Sequence, residues 1–190
     1  VKTGACFIGL AREKSVINSC IFLRLLLSHL KLFGIKPKII QTDNGSEFVN
    51  TRDILKKSLF SKIIEGEGIE HNRIPVGAKR WQSDVERAHG IIENEFYDSV
   101  KIYNEDGFIR DINVYQYMFN TQRVNSYKGY KTPMQIYQEE NSKNEDMNKI
   151  TLLFNFPVVI LDKYTSEFIN SGYHVGLPDK DLKKDTTFFS

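Results

Sequence analysis

The apolar positions of the chain form short continuous runs at first and helical stripes further on. Residues Thr3 to Leu10 form a small apolar run, which is typical of a strand. The nearly apolar segment from Ser15 to Phe33, followed by Gly34, predicts a buried helix that ends at the glycine. Pro37 can only open the next apolar run, so a second strand is predicted over residues 38–42.

Helical patterns dominate the middle of the chain. Residues 51–64 predict a helix with Leu55, Leu59 and Ile63 on its core face, and residues 69–75 predict a short strand. The longest helix is predicted from Gln82 to Val100, and its apolar stripe consists of Val85, Ala88, Ile92 and Phe96. A further helix is predicted from Phe108 to Asn120, and the run Thr132-Pro133-Met134-Gln135 is a capping box that starts another.

This order of elements predicts an α/β domain over residues 1–139. Residues 140–150 are polar and predict a linker. Residues 151–190 contain one strong strand pattern, FPVVIL, and predict a small β-rich C-terminal module. That module fits either a DNA-binding β-barrel or a surface for packing and protein contact.

Composition adds only weak constraints on function. The chain is 41% hydrophobic and 26% charged, which is typical of a soluble globular protein, and its formal net charge is +2. The first 139 residues hold 20 basic and 16 acidic side chains, so any basic surface must be local. The two cysteines lack metal-type spacing, which favours free thiols in a reducing, cytoplasmic compartment. The apolar run IFLRLLLSHLKLF is interrupted by charged and polar residues, so we expect no membrane span.

Two acidic residues stand where an α/β sheet could use them for chemistry. Asp43 directly follows the predicted second strand, and ligands bind off the carboxyl ends of strands in such sheets. Asp-Asn-Gly is also strong turn chemistry, so Asp43 could simply form a turn and cap a helix. Glu86 lies in the first turn of the longest helix, with His89, Gly90 and Glu93 on the same face. An exposed charged helix face is the ordinary interpretation of that pattern.

Taken together, Asp43 and Glu86 favour a metal site. Two carboxylates that converge on one edge of a sheet suit a hard divalent cation such as Mg²⁺. Paired metals of this kind activate the attacking oxygen and stabilise the leaving oxygen in phosphoryl transfer.

The motifs TDNGSEF, QSDVERAH and EFY follow one another in the order seen in a known family. With FNTQRVNSYKGYKTPMQIY downstream, residues 1–138 resemble the integrase catalytic core of bacterial insertion-sequence transposases and retroviral integrases. The resemblance implies an RNase H-like sheet flanked by helices and a triad of acids that binds Mg²⁺ or Mn²⁺. By this resemblance, Asp43 is the second acid and Glu86 is the third, with 42 residues between them.

The resemblance also implies a DNA partner and a set of residues that contact it. Gln82 and His89 match positions near the DNA end in that family, while basic and aromatic side chains before the helix could clamp or stack on DNA. The predicted DNA-binding residues are Lys79, Arg80, Trp81, Gln82, Arg87 and His89. Trp81 could equally pack as a hydrophobic staple before its helix. A bacterial, nucleoid-associated protein that forms a homo-oligomer at full length is the corresponding expectation.

The main departure from the family is the first acid of the triad. The only acid before Asp43 is Glu13, which follows the first strand in a turn. By resemblance that strand is the third of the family fold, so we expect an N-terminally truncated core that is inactive alone. The leading prediction is a DNA end-processing and strand-transfer region. The alternatives are a catalytically silent DNA-binding remnant and an RNase H-like nuclease.

Overall fold

The computed structural model describes residues 2–49, 56–75, 83–101, 104–141 and 146–161. Over these ranges the protein is mixed α/β, with six α-helices and two small strand pairs. The chain divides into two compact units. The first unit consists of Val1–Leu10, Ser28–Lys36 and Lys79–Ile160, and the second of Ala11–Leu27, Pro37–Ala78 and Leu161–Ser190.

The elements alternate between short strands and longer helices. The strands are β1 (Leu10–Ala11), β2 (Ile39–Thr42), β3 (Glu70–Arg73) and β4 (Ile160–Leu161). The helices are α1 (Val16–Leu32), α2 (Leu59–Gly66), α3 (Ser83–Ile92), α4 (Glu105–Thr121), α5 (Pro133–Asn141) and α6 (Met147–Leu153). A π-helical turn, Glu93–Tyr97, continues α3, and a 3₁₀ turn, Ser126–Lys128, lies between α4 and α5.

In the second unit, the parallel pair β2 and β3 forms the sheet against which α2 packs. Ile39 pairs with Glu70 and Thr42 with Arg73 in this register. Helix α2 starts at Ser58, whose hydroxyl accepts a hydrogen bond from the Ser61 amide. The buried core of the second unit consists of Cys20, Leu23, Phe60, Ile63, Ile64 and Ile69. Ile40 of β2 packs against this core and connects the strand to it.

In the first unit, three side-chain amides on one face of α4 bind two extended segments. Asn120 donates to the Cys6 carbonyl and accepts from the Cys6 amide, at 2.7 and 2.8 Å. Gln116 accepts a hydrogen bond from the Ile8 amide and donates one to the Phe156 carbonyl. Asn113 Oδ1 accepts a hydrogen bond from the Val158 amide. These amides take the place of a strand neighbour, because a buried backbone must find hydrogen-bond partners.

The predicted helices are confirmed with small shifts at most of their ends. The helix predicted over residues 51–64 is the exception, because α2 begins only at Leu59, after its N-cap Ser58, and residues 51–55 lie outside the described residues. The Gly34 backbone has φ +73° directly after α1, the left-handed conformation that ends helices, as predicted. The capping box at α5 is also present: Thr132 Oγ1 accepts from the Gln135 amide at 3.1 Å, and Gln135 Oε1 accepts from the Thr132 amide. Leu59 is half-buried and Ile63 is buried, as the stripe predicted.

The predicted strands over residues 3–10 and 156–161 are wrong over most of their length. Only Leu10–Ala11 and Ile160–Leu161 are strands, and they pair with each other. The remaining extended residues are bonded by the α4 amides, and Gly4 at φ +73° interrupts the first run. Apolar patterns predict that a segment is extended and buried, but they do not identify its partner.

The predicted domain limits stay predictions. Helix α5 continues to Asn141 and α6 begins at Met147, so helical structure enters the predicted linker 140–150 from both sides. Most of the predicted C-terminal module, residues 162–190, lies outside the described residues. Both cysteines are free, as expected. None of the helices in the described part of the chain has the length and apolar character needed to cross a membrane.

Candidate functional site

Asp43 is held in a tight turn directly beyond β2. The carboxylate is exposed, and its Oδ1 accepts a hydrogen bond from the Gly45 amide at 2.8 Å. The Asn44 side chain donates to the Ile74 carbonyl at 2.7 Å, and the Ile74 amide donates to the Thr42 carbonyl at 2.9 Å. These hydrogen bonds therefore connect the turn to the segment that follows β3. Asp43 lies at the carboxyl end of a parallel strand pair, where α/β sheets bind their ligands.

A second carboxylate, Glu47, lies under this turn. A Cβ atom added to Gly45 would stand only 2.7 Å from Glu47 Oε2, so the Glu47 carboxylate would have to shift to admit a side chain there. Glu47 is buried, and its Oε1 lies 3.1 Å from Lys14 Nζ. Within the described residues Oε2 has no hydrogen-bond partner. A buried carboxylate with one ion pair is costly unless its remaining lone pairs are satisfied. The only signal in the sequence was a second acid, four residues after Asp43.

His71 connects the end of β2 to the start of α2. Its Nε2 lies 2.9 Å from Thr42 Oγ1, and its Nδ1 lies 2.9 Å from Ser61 Oγ. The Ser61 hydroxyl is in turn 2.9 Å from Ser58 Oγ, which donates to the Phe48 carbonyl at 2.7 Å. A continuous polar path thus runs from the residue before Asp43 to the segment that follows its turn. The sequence had offered no partner for His71 at metal-ligand spacing.

The surroundings of His71 favour its neutral form. Burial lowers the pKa of His71 below its ordinary 6.5, and the positive charge of Arg73 lowers it further. The negative charge of Glu65 acts in the opposite direction. A neutral imidazole carries one donor and one acceptor, which suits the two hydroxyl partners, since each hydroxyl can donate or accept.

Glu86 lies on the exposed face of α3. Glu86, His89 and Glu93 are all exposed, whereas Ala88 and Ile92 are half-buried. This division agrees with the predicted polar and apolar faces of the helix. No described atom would lie within 4 Å of a Cβ added at Gly90, so the helix surface beside it is open.

The structure describes two of the six predicted DNA-binding residues. Arg87 and His89 are exposed on α3, and the Arg87 guanidinium lies 4.7 Å from the centre of the Tyr127 ring. The others, Lys79, Arg80, Trp81 and Gln82, lie outside the described residues. No motif or spacing in the sequence indicated that Tyr127 would be the neighbour of Arg87.

The predicted metal ligands are one exposed acid in each unit. Asp43 belongs to the second unit and Glu86 to the first. Carboxylate oxygens are the donors that Mg²⁺ prefers, so each side chain suits one ligand position. The described residues include no cluster of three or more His, Cys, Asp or Glu side chains that could hold a metal ion. The assignment of both acids as ligands stays a prediction.

Comparison with known proteins gives one partial relationship. Over 107 residues, 54% of this chain, the sequence is 32% identical to the protein described as "Putative integrase ORF3" from Spiroplasma virus SpV1-C74. The match covers 30% of that protein, so the chain spans less than a third of its relative's length. No family model matches the chain, and no solved structure matches it. The relationship is integrase-like, and an RNase H-like fold is not established by it.

Proposed function

We propose that the chain is part of the catalytic region of a DDE-type transposase or integrase, with an RNase H-like sheet. It would process DNA ends and join them to a target strand. The observation that carries the proposal is the place of Asp43, exposed in a fastened turn at the carboxyl end of β2. The similarity to an integrase-named viral protein supports the same reaction class.

In this proposal Asp43 and Glu86 are metal ligands. Mg²⁺ or Mn²⁺ bound to them would activate the attacking oxygen and stabilise the leaving oxygen of a phosphodiester. Asp43 suits the role because its turn fixes the carboxylate through the Gly45 amide. Glu86 suits it because the first turn of α3 presents it to solvent, close to the positive end of the helix dipole.

The remaining predicted residues would bind DNA. Arg87 and His89 are exposed on the same helix as Glu86, and Lys79, Arg80, Trp81 and Gln82 precede it directly. Cationic side chains there would contact phosphates and position a strand beside the metal. DNA, a homo-oligomeric assembly and a bacterial cytoplasmic location near the nucleoid belong to this proposal.

Iron-mediated backbone cleavage tests whether the two acids share a metal. Fe²⁺ replaces Mg²⁺ at carboxylate sites, and with ascorbate and peroxide it produces radicals that cut the nearest backbone. The 190-residue chain should be cut near both residue 43 and residue 86, and excess Mg²⁺ should suppress both cuts. Asp43→Asn and Glu86→Gln should each remove both cuts, since each ligand is needed to hold the ion.

A matched control distinguishes one metal site shared by Asp43 and Glu86 from nonspecific binding of iron to acidic side chains. Glu93→Gln removes an exposed carboxylate on the same helical face as Glu86 and should leave both cuts unchanged. Cuts near residue 86 that persist in Asp43→Asn would show separate sites and overturn the proposal. DNA binding without any metal-dependent cut would instead indicate a catalytically silent DNA-binding protein.

A further inference from the structure

Exposed apolar side chains concentrate between the middle of α4 and α5. Of the ten large apolar residues that are exposed in the described part of the chain, five lie in this stretch: Val114, Met118, Val124, Tyr127 and Tyr130. Tyr127 is 82% exposed and Tyr130 is 72% exposed. Patches of this kind usually mark an interaction surface.

The charge of the stretch indicates the kind of partner. Residues 112–138 contain three cations and no aspartate or glutamate, although Arg123 is ion-paired with Glu95 at 2.8 Å and Lys131 with Glu139 at 2.6 Å; the third is Lys128. Arg87 adds a fourth cation, because its guanidinium stacks over the Tyr127 ring at 4.7 Å. Exposed aromatic rings beside cations are the arrangement with which proteins bind single-stranded nucleic acid.

Backbone hydrogen bonds hold the two tyrosines in place. Asn125 Oδ1 accepts from the Tyr127 amide at 3.0 Å, and the Asn125 carbonyl accepts from the Lys128 and Tyr130 amides at 2.9 and 3.0 Å. The Asn125 amide donates to the Lys131 carbonyl at 3.0 Å, which closes the loop.

Tyr130 itself has φ +58°, a left-handed conformation that is rare for a bulky residue. The surrounding bonds therefore keep a strained residue in position with its ring exposed. A tyrosine fixed in this way loses little entropy when it stacks on a ligand.

We propose that Tyr127 and Tyr130, with Arg87, bind unpaired bases of a DNA strand by stacking. The inference rests on the proposed function, which makes DNA the nucleic acid that reaches this unit. The π-face of any base can stack on tyrosine, so binding should depend little on sequence. Lys128 would contact a phosphate between the stacked bases, and Arg123 and Lys131 would do so only by exchanging their carboxylate partners for phosphate.

Fluorescence anisotropy with a labelled 12-nucleotide oligothymidine and a 12-base-pair duplex tests the proposal. Tyr127→Ala should weaken oligothymidine binding about fivefold or more, since stacking of one base contributes at least ~1 kcal/mol. Tyr130→Asn should weaken it similarly, because asparagine accepts the left-handed backbone. Tyr127→Phe keeps the ring and should stay within about twofold of the parent chain.

One control variant and two further measurements make the result specific. Leu32→Ala removes a side chain of comparable exposure, 78%, at a distant point of the sequence, and should leave oligothymidine binding unchanged. Ultraviolet cross-linking with an oligothymidine that carries 5-iodouracil should attach the base to Tyr127 or Tyr130. Duplex binding should change less than single-strand binding in both tyrosine variants, because paired bases are not free to stack.

The outcomes separate this inference from the proposed function. A chain that binds neither DNA form contradicts both. Duplex binding together with oligothymidine binding that ignores both tyrosines overturns only the stacking surface. The stacking surface alone is also overturned if Tyr127→Ala and Tyr130→Asn dissociate a dimer in sedimentation without changing the oligothymidine affinity. An oligouridine that binds tenfold more tightly than oligothymidine would overturn DNA as the partner.

Discussion

Thr42 Oγ1 and His71 Nε2 lie 2.9 Å apart across the parallel pair of β2 and β3. Asp43 follows Thr42 directly, and the other nitrogen of His71 is 2.9 Å from Ser61 Oγ at the start of α2. One imidazole therefore ties together the end of β2 and the first turn of a helix. The position of the Asp43 carboxylate depends on this connection as well as on its own turn.

His71→Ala should destabilise the protein by about 1–3 kcal/mol. The substitution removes two hydrogen bonds, one to Thr42 Oγ1 and one to the buried Ser61 hydroxyl, which keeps Ser58 Oγ as a partner, and each such bond contributes about 0.5–1.5 kcal/mol. Urea denaturation would measure the loss. Glu70→Ala, an exposed neighbour on the same strand, is the control and should change stability by less than about 0.5 kcal/mol. Equal effects of the two substitutions would show that the polar path contributes nothing.

The lowered pKa of His71 predicts a stability that depends on pH. The folded protein favours the neutral imidazole, so below about pH 6.5 the unfolded chain takes up the proton first. This contribution to stability should be complete above that pH and should decrease as the pH falls from 6.5 towards the lowered pKa of the folded state. Urea midpoints between pH 5 and pH 8 would show the decrease. His71→Asn should reduce the change of the urea midpoint with pH below about pH 6.5. An unchanged slope in that variant would show that other groups cause the pH dependence.

Local signals in the sequence predicted the helices well. The glycine after α1 and the Thr132–Gln135 capping box depend on neighbouring residues only, so their chemistry can be read without a fold. The position of Asp43 beyond a strand was predictable for the same reason, because Asn-Gly turns follow strands by local preference.

Contacts between distant parts of the chain were not predictable. Residues 3–9 looked like a strand, but their backbone is bonded by amides more than a hundred positions away on α4. His71 seemed isolated because its partners, Thr42 and Ser61, approach only when β2, β3 and α2 pack together. The sequence also could not show that Glu47 would be buried against Gly45, since an acid in a turn is usually solvated.

Gln116→Met should destabilise the first unit by a few kcal/mol. Gln116 is buried at 1% exposure and satisfies both the Ile8 amide and the Phe156 carbonyl at 2.6 Å. Methionine keeps the volume but leaves both backbone groups unpaired, at about 1–3 kcal/mol for each. Gln122→Met, an exposed glutamine just after α4, is the matched control. Hydrogen exchange at the Ile8 amide should accelerate only in Gln116→Met, and equal protection in the two variants would contradict the bridging role.

Gly45→Ala should destabilise the turn that holds Asp43 by about 1–3 kcal/mol, the usual cost of forcing atoms into a packed site. The added Cβ would stand 2.7–2.8 Å from the Glu47 carboxylate, which is buried and paired with Lys14. Urea denaturation would measure the loss. The Gly45 backbone has no left-handed φ, so the close approach and not the backbone conformation is the cause.

A double-mutant cycle with Glu47→Ala identifies the cause of that loss. If the methyl group clashes with the carboxylate, Gly45→Ala should cost less than about 0.5 kcal/mol in the Glu47→Ala background, because the obstacle is gone. A cost that stays the same in both backgrounds would place the strain in the backbone of the turn. Iron-mediated cleavage near residue 43 should follow the same pattern, since displacing Glu47 shifts the amide that fixes the Asp43 carboxylate. In the Glu47→Ala background, Gly45→Ala should therefore change neither the stability nor the cleavage near residue 43 appreciably.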